Sequence, residues 1–286
     1  MKIFKKLSLV MASAVLLGST LTATAPTTTH AAPVSGKVTV AGSTALLPLT
    51  LQAAKQFKQK NPMVSIPASG AGSITGPQAV TRGAAQIGAC DWDATKDVPG
   101  FKAFPGLVAH KVAVIPFATI VNKNVSVDSL TTKQLQDIFS GKVKNWSQVG
   151  GQNAPIVVVN RAFGSGTRVN YQAKALKGAQ FMKGGSTYKE VKSSGDMATS
   201  VSTTPNAIGF IDLVYVKGDL KALKYNGVAA TTSNVLNKTY PVWAYGYYLT
   251  KGQPTGATKA FIDYVRSPQF QNSTLKKMSF LPITSM

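Results

Sequence analysis

The chain is poor in three things. It has a single cysteine, Cys90, so no internal disulfide can staple the fold. Ten acidic residues face 31 basic ones, and there are only two histidines. No zinc-site motif is present, and no metal and no cofactor are expected. There is also no apolar run of about 18 residues, the length a membrane-spanning helix requires. These shortages leave a chain held by its core alone. With 44% hydrophobic residues that core is ample, and the length suits one large α/β domain or two lobes of about 120 residues.

Residues 1–32 read as a signal peptide. Lys2, Lys5 and Lys6 form a basic start, Leu7 to Leu17 is mostly apolar, and small residues follow at Ala23-Thr-Ala25 and His30-Ala-Ala32. The pattern is that of a removed leader rather than an anchor. No cysteine lies near either candidate cleavage site, so no lipid anchor is expected. The protein is expected to be exported, secreted or held at the cell surface. The formal net charge is +21, and +18 without the three leader lysines. Such a field favours polyanions, and an exported protein meets anionic cell-wall polymers first. Nucleic acid is not expected, because no recognition motif or arginine-rich helix accompanies the charge.

Strands and helices alternate along the rest, which predicts α/β layers. Lys37–Asp91 reads β-α-β-α-β, with the first helix stopping at Asn61-Pro62. Leu107–Val121 reads as two apolar strands meeting at Pro116. Thr131 to Gln134 has the form of a capping box for a helix through Leu135, Ile138 and Phe139. Lys183–Ser194 is polar, and Ser193-Ser194-Gly195 opens another helix. Ala207–Ile211 and Val242–Leu249 are strands, and Phe261, Tyr264 and Val265 mark a C-terminal helix. Crossings near 117–121 and 240–246 predict two lobes: residues 36–117 with 243–286, and residues 118–242. A ligand would then sit between them, outside the carboxyl ends of the strands.

One construction recurs three times. A β-branched strand runs into a turn of Ser, Thr and Gly, and helical spacing follows. It occurs at Val40 to Ser43-Thr44, at Val64 to Ser69-Gly-Ala-Gly-Ser73, and at Val157 to Arg161-Ala-Phe-Gly-Ser165-Gly166-Thr167-Arg168. Free backbone N–H groups, hydroxyls and the positive end of a helix meet at such a turn, which suits a bound anion. The rival reading is plain N-capping. Asp91 follows the end of an apolar strand and reads either as a site acid or as a loop cap. Arg161 reads either as an anion partner or as half of a structural ion pair. Cys90, His110 and the three tryptophans read as packing residues.

Five ordered motifs carry a family resemblance from about residue 36 to the C-terminus. They are Ala41-Gly-Ser-Thr-Ala-Leu-Leu-Pro48, Gly70-Ala-Gly-Ser-Ile-Thr-Gly76, Ile87-Gly-Ala-Cys-Asp91, Ile138-Phe-Ser-Gly-Lys142 with Asn145-Trp146, and Asn160-Arg161-Ala-Phe-Gly-Ser-Gly-Thr-Arg168. The chain resembles the phosphate-binding proteins of bacterial high-affinity phosphate ABC transporters, in their Gram-positive form. The resemblance implies a two-lobed α/β periplasmic-binding-protein type II fold that closes on phosphate, as a monomer serving an ABC permease. It implies that Ser43, Thr44, Ala45, Ser73 and Asp91 hold the anion from one lobe, with Asp91 accepting a proton from it. It implies Arg161, Ser165, Gly166 and Thr167 from the other lobe, with Ser194 and Gly195 as weaker carry-overs. Ile74 and Cys90 stand where the family more often has glycine and serine.

Two other functions compete. A basic surface adhesin on the same fold would need only the charge. A serine acyltransferase would use Ser186-Thr-Tyr-Lys189, which fits Ser-x-x-Lys, but no Ser-Asp-Asn or Lys-Thr-Gly accompanies it. No catalytic residue is therefore expected.

Overall fold

The computed structural model describes residues 33–286; the leader read at residues 1–32 lies outside them. The chain begins β1 (Gly36–Lys37), β2 (Val40–Gly42), α1 (Leu47–Lys60), β3 (Val64–Ser65), β4 (Ala68–Gly70), α2 (Thr75–Thr81) and β5 (Ile87–Cys90). The long β6 (Leu107–Asn122) leads to β7 (Ser129–Leu130), α3 (Thr132–Phe139), β8 (Val157–Arg161), α4 (Gly166–Lys174), β9 (Tyr188–Val191), α5 (Ser194–Thr203) and β10 (Ala207–Asp212). Then come β11 (Leu220–Ala222), β12 (Lys224–Tyr225), α6 (Thr232–Leu236), β13 (Trp243–Lys251) and α7 (Gly256–Arg266), and short helical turns follow over residues 268–277. Among the described residues no helix is long and apolar enough to cross a membrane.

One curled sheet of nine strands organises these elements. Its order is β4-β2-β5-β13-β6-β10-β8-β9, with β11 added on β6. On one side β2 runs parallel to β4 and β5. On the other, β8 runs parallel to β9 and β10. β13 and β6 lie antiparallel in the middle and join the two halves. This is a mixed α/β architecture of two parallel halves joined by an antiparallel pair. The carboxyl ends of β2 and β5 and those of β8 and β10 carry the polar turns, the place where open α/β sheets bind ligands.

The elements form for local reasons. In α1, Leu49, Thr50, Ala53 and Phe57 are buried, the spacing of one helical face. Pro48 sits in its first turn, where no N–H is needed, and Asn61 before Pro62 ends it. Both halves of the Thr131–Gln134 capping box are present at α3. Pro77 falls in the first turn of α2.

One expectation is corrected, and one strand had gone unread. Leu107–Val121 is one continuous strand, not two. β6 pairs with β13 as far as Pro116, and with β10 from Phe117 onward. Pro116 therefore lies at the handover between partners, where a missing N–H interrupts neither ladder. The polar stretch Lys183–Ser194 contains the strand β9, which lies at the sheet edge on β8. Exposed Lys189 and Glu190 hid it, because edge strands carry charge against unwanted pairing.

Candidate anion site

Asp91 is the centre of the site. It emerges directly after β5, whose four residues are all buried, and its own side chain is 1% exposed. The Ser43 hydroxyl donates to Asp91 Oδ1. Ser43 Oγ in turn accepts from Leu46 N at 3.1 Å, so Ser43 both braces the turn that leads into α1 and faces the acid. Ser73 Oγ accepts from Asp91 N at 3.3 Å. Asn170 holds the Asp91 carbonyl at 2.7 Å. The last contact comes from α4, on the other half of the sheet.

The turn after β8 closes over that acid. Thr167 Oγ1 lies 3.5 Å from Asp91 Oδ2. Gly166 packs so tightly that an added Cβ would stand 2.4 Å from Ser73 Oγ and 2.6 Å from Asp91 Cβ. Only glycine lets the start of α4 reach this position. Ile74 N donates to Gly164 O at 3.0 Å, so the non-glycine residue at 74 itself ties one half to the other. At the rim Phe163 stacks on Phe101 with ring centres 4.6 Å apart, and Phe101 stacks on Trp92 at 5.0 Å.

Arg161 ends β8 and is 1% exposed. Its guanidinium donates to Ser194 Oγ at 3.3 Å, to Thr44 Oγ1 at 3.2 Å and to Lys192 O at 3.0 Å. Arg168 braces it from behind by donating to the Arg161 carbonyl at 2.7 Å. Thr44 Oγ1 also accepts from Ser194 N at 3.1 Å. The starts of α1, α4 and α5 thus converge on one buried polar cluster.

Most residues read from the sequence meet here. Ser43, Thr44, Ala45, Ser73, Asp91, Arg161, Ser165, Gly166, Thr167 and Ser194 are all buried. Ser165 also does what the rival reading expected, since its Oγ accepts from Arg168 N at 3.3 Å as the cap of α4. Gly195 is exposed in the first turn of α5. Cys90 is fully buried, and burial pushes its thiol well above the ordinary range. In the acyltransferase pattern, Ser186 is exposed and Lys189 Nζ bonds Thr204.

Three contributors were missed. Asp212, at the end of β10, is fully buried and accepts from Ser194 Oγ at 3.1 Å. Tyr215 OH donates to Thr44 O at 2.9 Å. Asn170 is the third. The signal for Asp212 was available: it ends an apolar strand just as Asp91 does.

Burial sets the charges in tension. It raises the Asp91 carboxyl above its usual range, while the Ser43 hydroxyl and the Arg161 charge pull it back. Burial and then the Asp91 charge push Asp212 up well beyond that range. Burial lowers Arg161, with Asp212 and Asp91 opposing. Arg161 and the helix starts attract an anion. An ionised Asp91 can only accept, so an anion lying against it must bring a proton. The arrangement suits a small tetrahedral oxyanion that is still partly protonated. Among the described residues no group of three or more His, Cys, Asp and Glu could hold a metal ion.

The chain is similar to several known proteins. Residues 27–269 match the PBP superfamily domain. The phosphate-binding protein PstS of Bacillus subtilis is 38% identical over 253 residues, covering 88% of this chain and 82% of that protein. A Clostridium perfringens protein assigned as a phosphate ABC transporter substrate-binding protein, crystallised with bound phosphate, superposes with a TM-score of 0.79 at 34% identity. That match covers 87% of this chain and all of the other. An ABC-type phosphate transport receptor from Vibrio cholerae follows at 26% identity and a TM-score of 0.67, covering 85% and 99%.

Proposed function

The chain belongs to the PBP superfamily and, within it, to the phosphate-binding proteins named PstS; from this we propose that it captures inorganic phosphate outside the cytoplasm and delivers it to an ABC permease. The observation that carries the reading is the pairing of a buried acceptor, Asp91, with a buried cation, Arg161, among hydroxyls from both halves of the sheet. A receptor for sulfate would need donors only. Ser43, Thr44, Ala45, Ser73 and Asp91 hold the ligand from one lobe, and Arg161, Ser165, Gly166 and Thr167 from the other. The lobes comprise residues 36–117 with 243–286, and residues 118–242. The change of β6 partner at Pro116–Phe117 and the start of β13 at Trp243 support those limits. The protein acts as a monomer and performs no catalysis. Titrating phosphate into the purified protein by calorimetry tests this. One phosphate per chain is expected, and no heat of binding would overturn the reading.

The basic surface suggests a second property. The described chain carries many exposed lysines, and the protein is retained on the anionic wall by charge rather than by a lipid. Exposed charges are screened within about 8 Å at physiological salt and about 3 Å at 1 M. A wash of intact cells at about 1 M salt is therefore expected to release the protein. Retention through that wash, or partition into detergent, would refute it.

A further inference from the structure

The hydroxyl protons around Arg161 can be assigned by counting. Thr44 Oγ1 accepts from Arg161 Nη2 at 3.2 Å and from Ser194 N at 3.1 Å. A hydroxyl oxygen has two lone pairs, so both are taken. In the 3.1 Å contact between Thr44 Oγ1 and Ser194 Oγ, Thr44 must then be the donor. Ser194 Oγ therefore accepts from Thr44 and from Arg161 Nη1, which fills its own lone pairs. Its single proton has one destination left, Asp212 Oδ2 at 3.1 Å. The chain Thr44 to Ser194 to Asp212 runs in one direction only, and Asp212 is its end.

We propose that Asp212 is a positioning residue of the anion site: by taking the Ser194 proton it makes Ser194 an acceptor and so aims the Arg161 guanidinium, together with Thr44, at the cleft. Asp212 and Arg161 form no direct ion pair, and the hydrogen bonds between them run through Ser194. The remaining capacity of the pair supports this. Arg161 Nε and Asp212 Oδ1 are the buried side-chain atoms without a hydrogen-bond partner among the described residues. The two opposite charges are thus placed in one buried cluster yet joined through a hydroxyl instead of directly. Remove the acceptor and the Ser194 proton has nowhere to go. Arg161 cannot accept it, and both lone pairs of Thr44 are occupied. Ser194 would have to turn its hydrogen toward Arg161 or leave the network. Either move releases one of the three acceptors that fix the guanidinium.

The role is an acceptor role, so an amide oxygen should replace the carboxylate. This inference rests on phosphate being the ligand, and the test separates the two. Phosphate is titrated into wild type, Asp212→Ala, Asp212→Asn, Ser194→Ala and Ser194→Ala/Asp212→Ala. Asp212→Ala is expected to weaken binding tenfold or more, and Asp212→Asn by no more than about threefold. The double variant should bind no more weakly than Ser194→Ala alone, because Asp212 acts through that hydroxyl; such coupling is what a cycle measures. Ser194→Ala leaves β10 untouched, so its own tenfold loss is read even where Asp212→Ala folds poorly. Wild-type affinity in Asp212→Ala or in Ser194→Ala overturns the inference, as do additive losses in the double variant or an Asp212→Asn as weak as Asp212→Ala. A wild type that binds no phosphate overturns the proposed function and this inference with it.

Discussion

Asp91→Asn is expected to let sulfate bind. Near neutral pH phosphate keeps one or two protons and sulfate keeps none. Asp91 is buried, and its carboxylate takes the Ser43 hydroxyl proton on Oδ1. Thr167 Oγ1 stands 3.5 Å from Oδ2, and a carboxylate oxygen has lone-pair capacity for a further donor. Phosphate supplies a donor there. Sulfate would bring a lone pair against a carboxylate away from water, and like charges so placed cost several kcal/mol. Each 1.4 kcal/mol is about tenfold in affinity, so wild type should reject sulfate by roughly a thousandfold. An amide can turn its N–H₂ toward sulfate. The ratio of the two affinities should therefore narrow far more than phosphate binding weakens. Calorimetric titration of both anions into both proteins decides it. Equal ratios would assign selectivity to other groups.

The same substitution has a sign in stability. Burial raises Asp91 above its usual value, so the folded protein holds a proton that the unfolded chain, with a carboxyl near pH 3.9, has already released. The group's contribution is complete below about pH 3.9 and is lost as pH rises through the raised value. Asparagine has no such loss. The melting point of phosphate-free Asp91→Asn relative to wild type should therefore climb as pH rises from about 3.9 through the raised value, as calorimetric scans at fixed salt would record.

Arg161→Ala is expected to abolish most stabilisation by phosphate. A ligand that binds only the folded state adds about 4 kcal/mol at a thousand times its dissociation constant. Arg161 supplies the cation among two buried carboxylates, Asp91 and Asp212. Without it a phosphate dianion would enter a cluster with two buried acids and no Arg161 cation to offset its charge. The phosphate-free variant should also melt lower, because removing one partner leaves buried charge uncompensated. The decisive reading is therefore the shift on adding phosphate, not the melting point itself. Arg161→Lys should fall between. An ammonium restores the charge but not the planar fork that reaches Ser194, Thr44 and Lys192 at once. An undiminished phosphate shift in Arg161→Ala would remove it from the site.

Much of this is legible in the sequence. The three strand-to-turn units each placed Ser or Thr where a helix begins, and α1, α2 and α4 follow them. The capping box at Thr131, the stop at Asn61 and the acid after β5 were equally local. What failed was also informative. Pro116 looked like a break because the sequence does not show which strand will lie alongside. β9 was hidden because an edge strand that needs charge resembles a loop. Tyr215 was one tyrosine among nine, and nothing nearby in the sequence shows that its hydroxyl reaches Thr44 O.

The sequence by itself determined the helices, most of the strands and the three turns rich in donors, and it singled out Asp91 and Arg161 as the candidate acid and cation. Those signals act over three or four residues, within which backbone conformation and capping are decided. The tertiary structure alone decided which groups share protons. Thr44 and Ser194 are 150 residues apart and Ser43 and Asp91 are 48 apart, so no local pattern relates them. It also decided that Asp212 ends the hydroxyl chain, and that a side chain at 166 would collide with Ser73 and Asp91. Buried polar groups must find partners wherever the chain brings them together, and that accounting closes only once both halves of the sheet are in place.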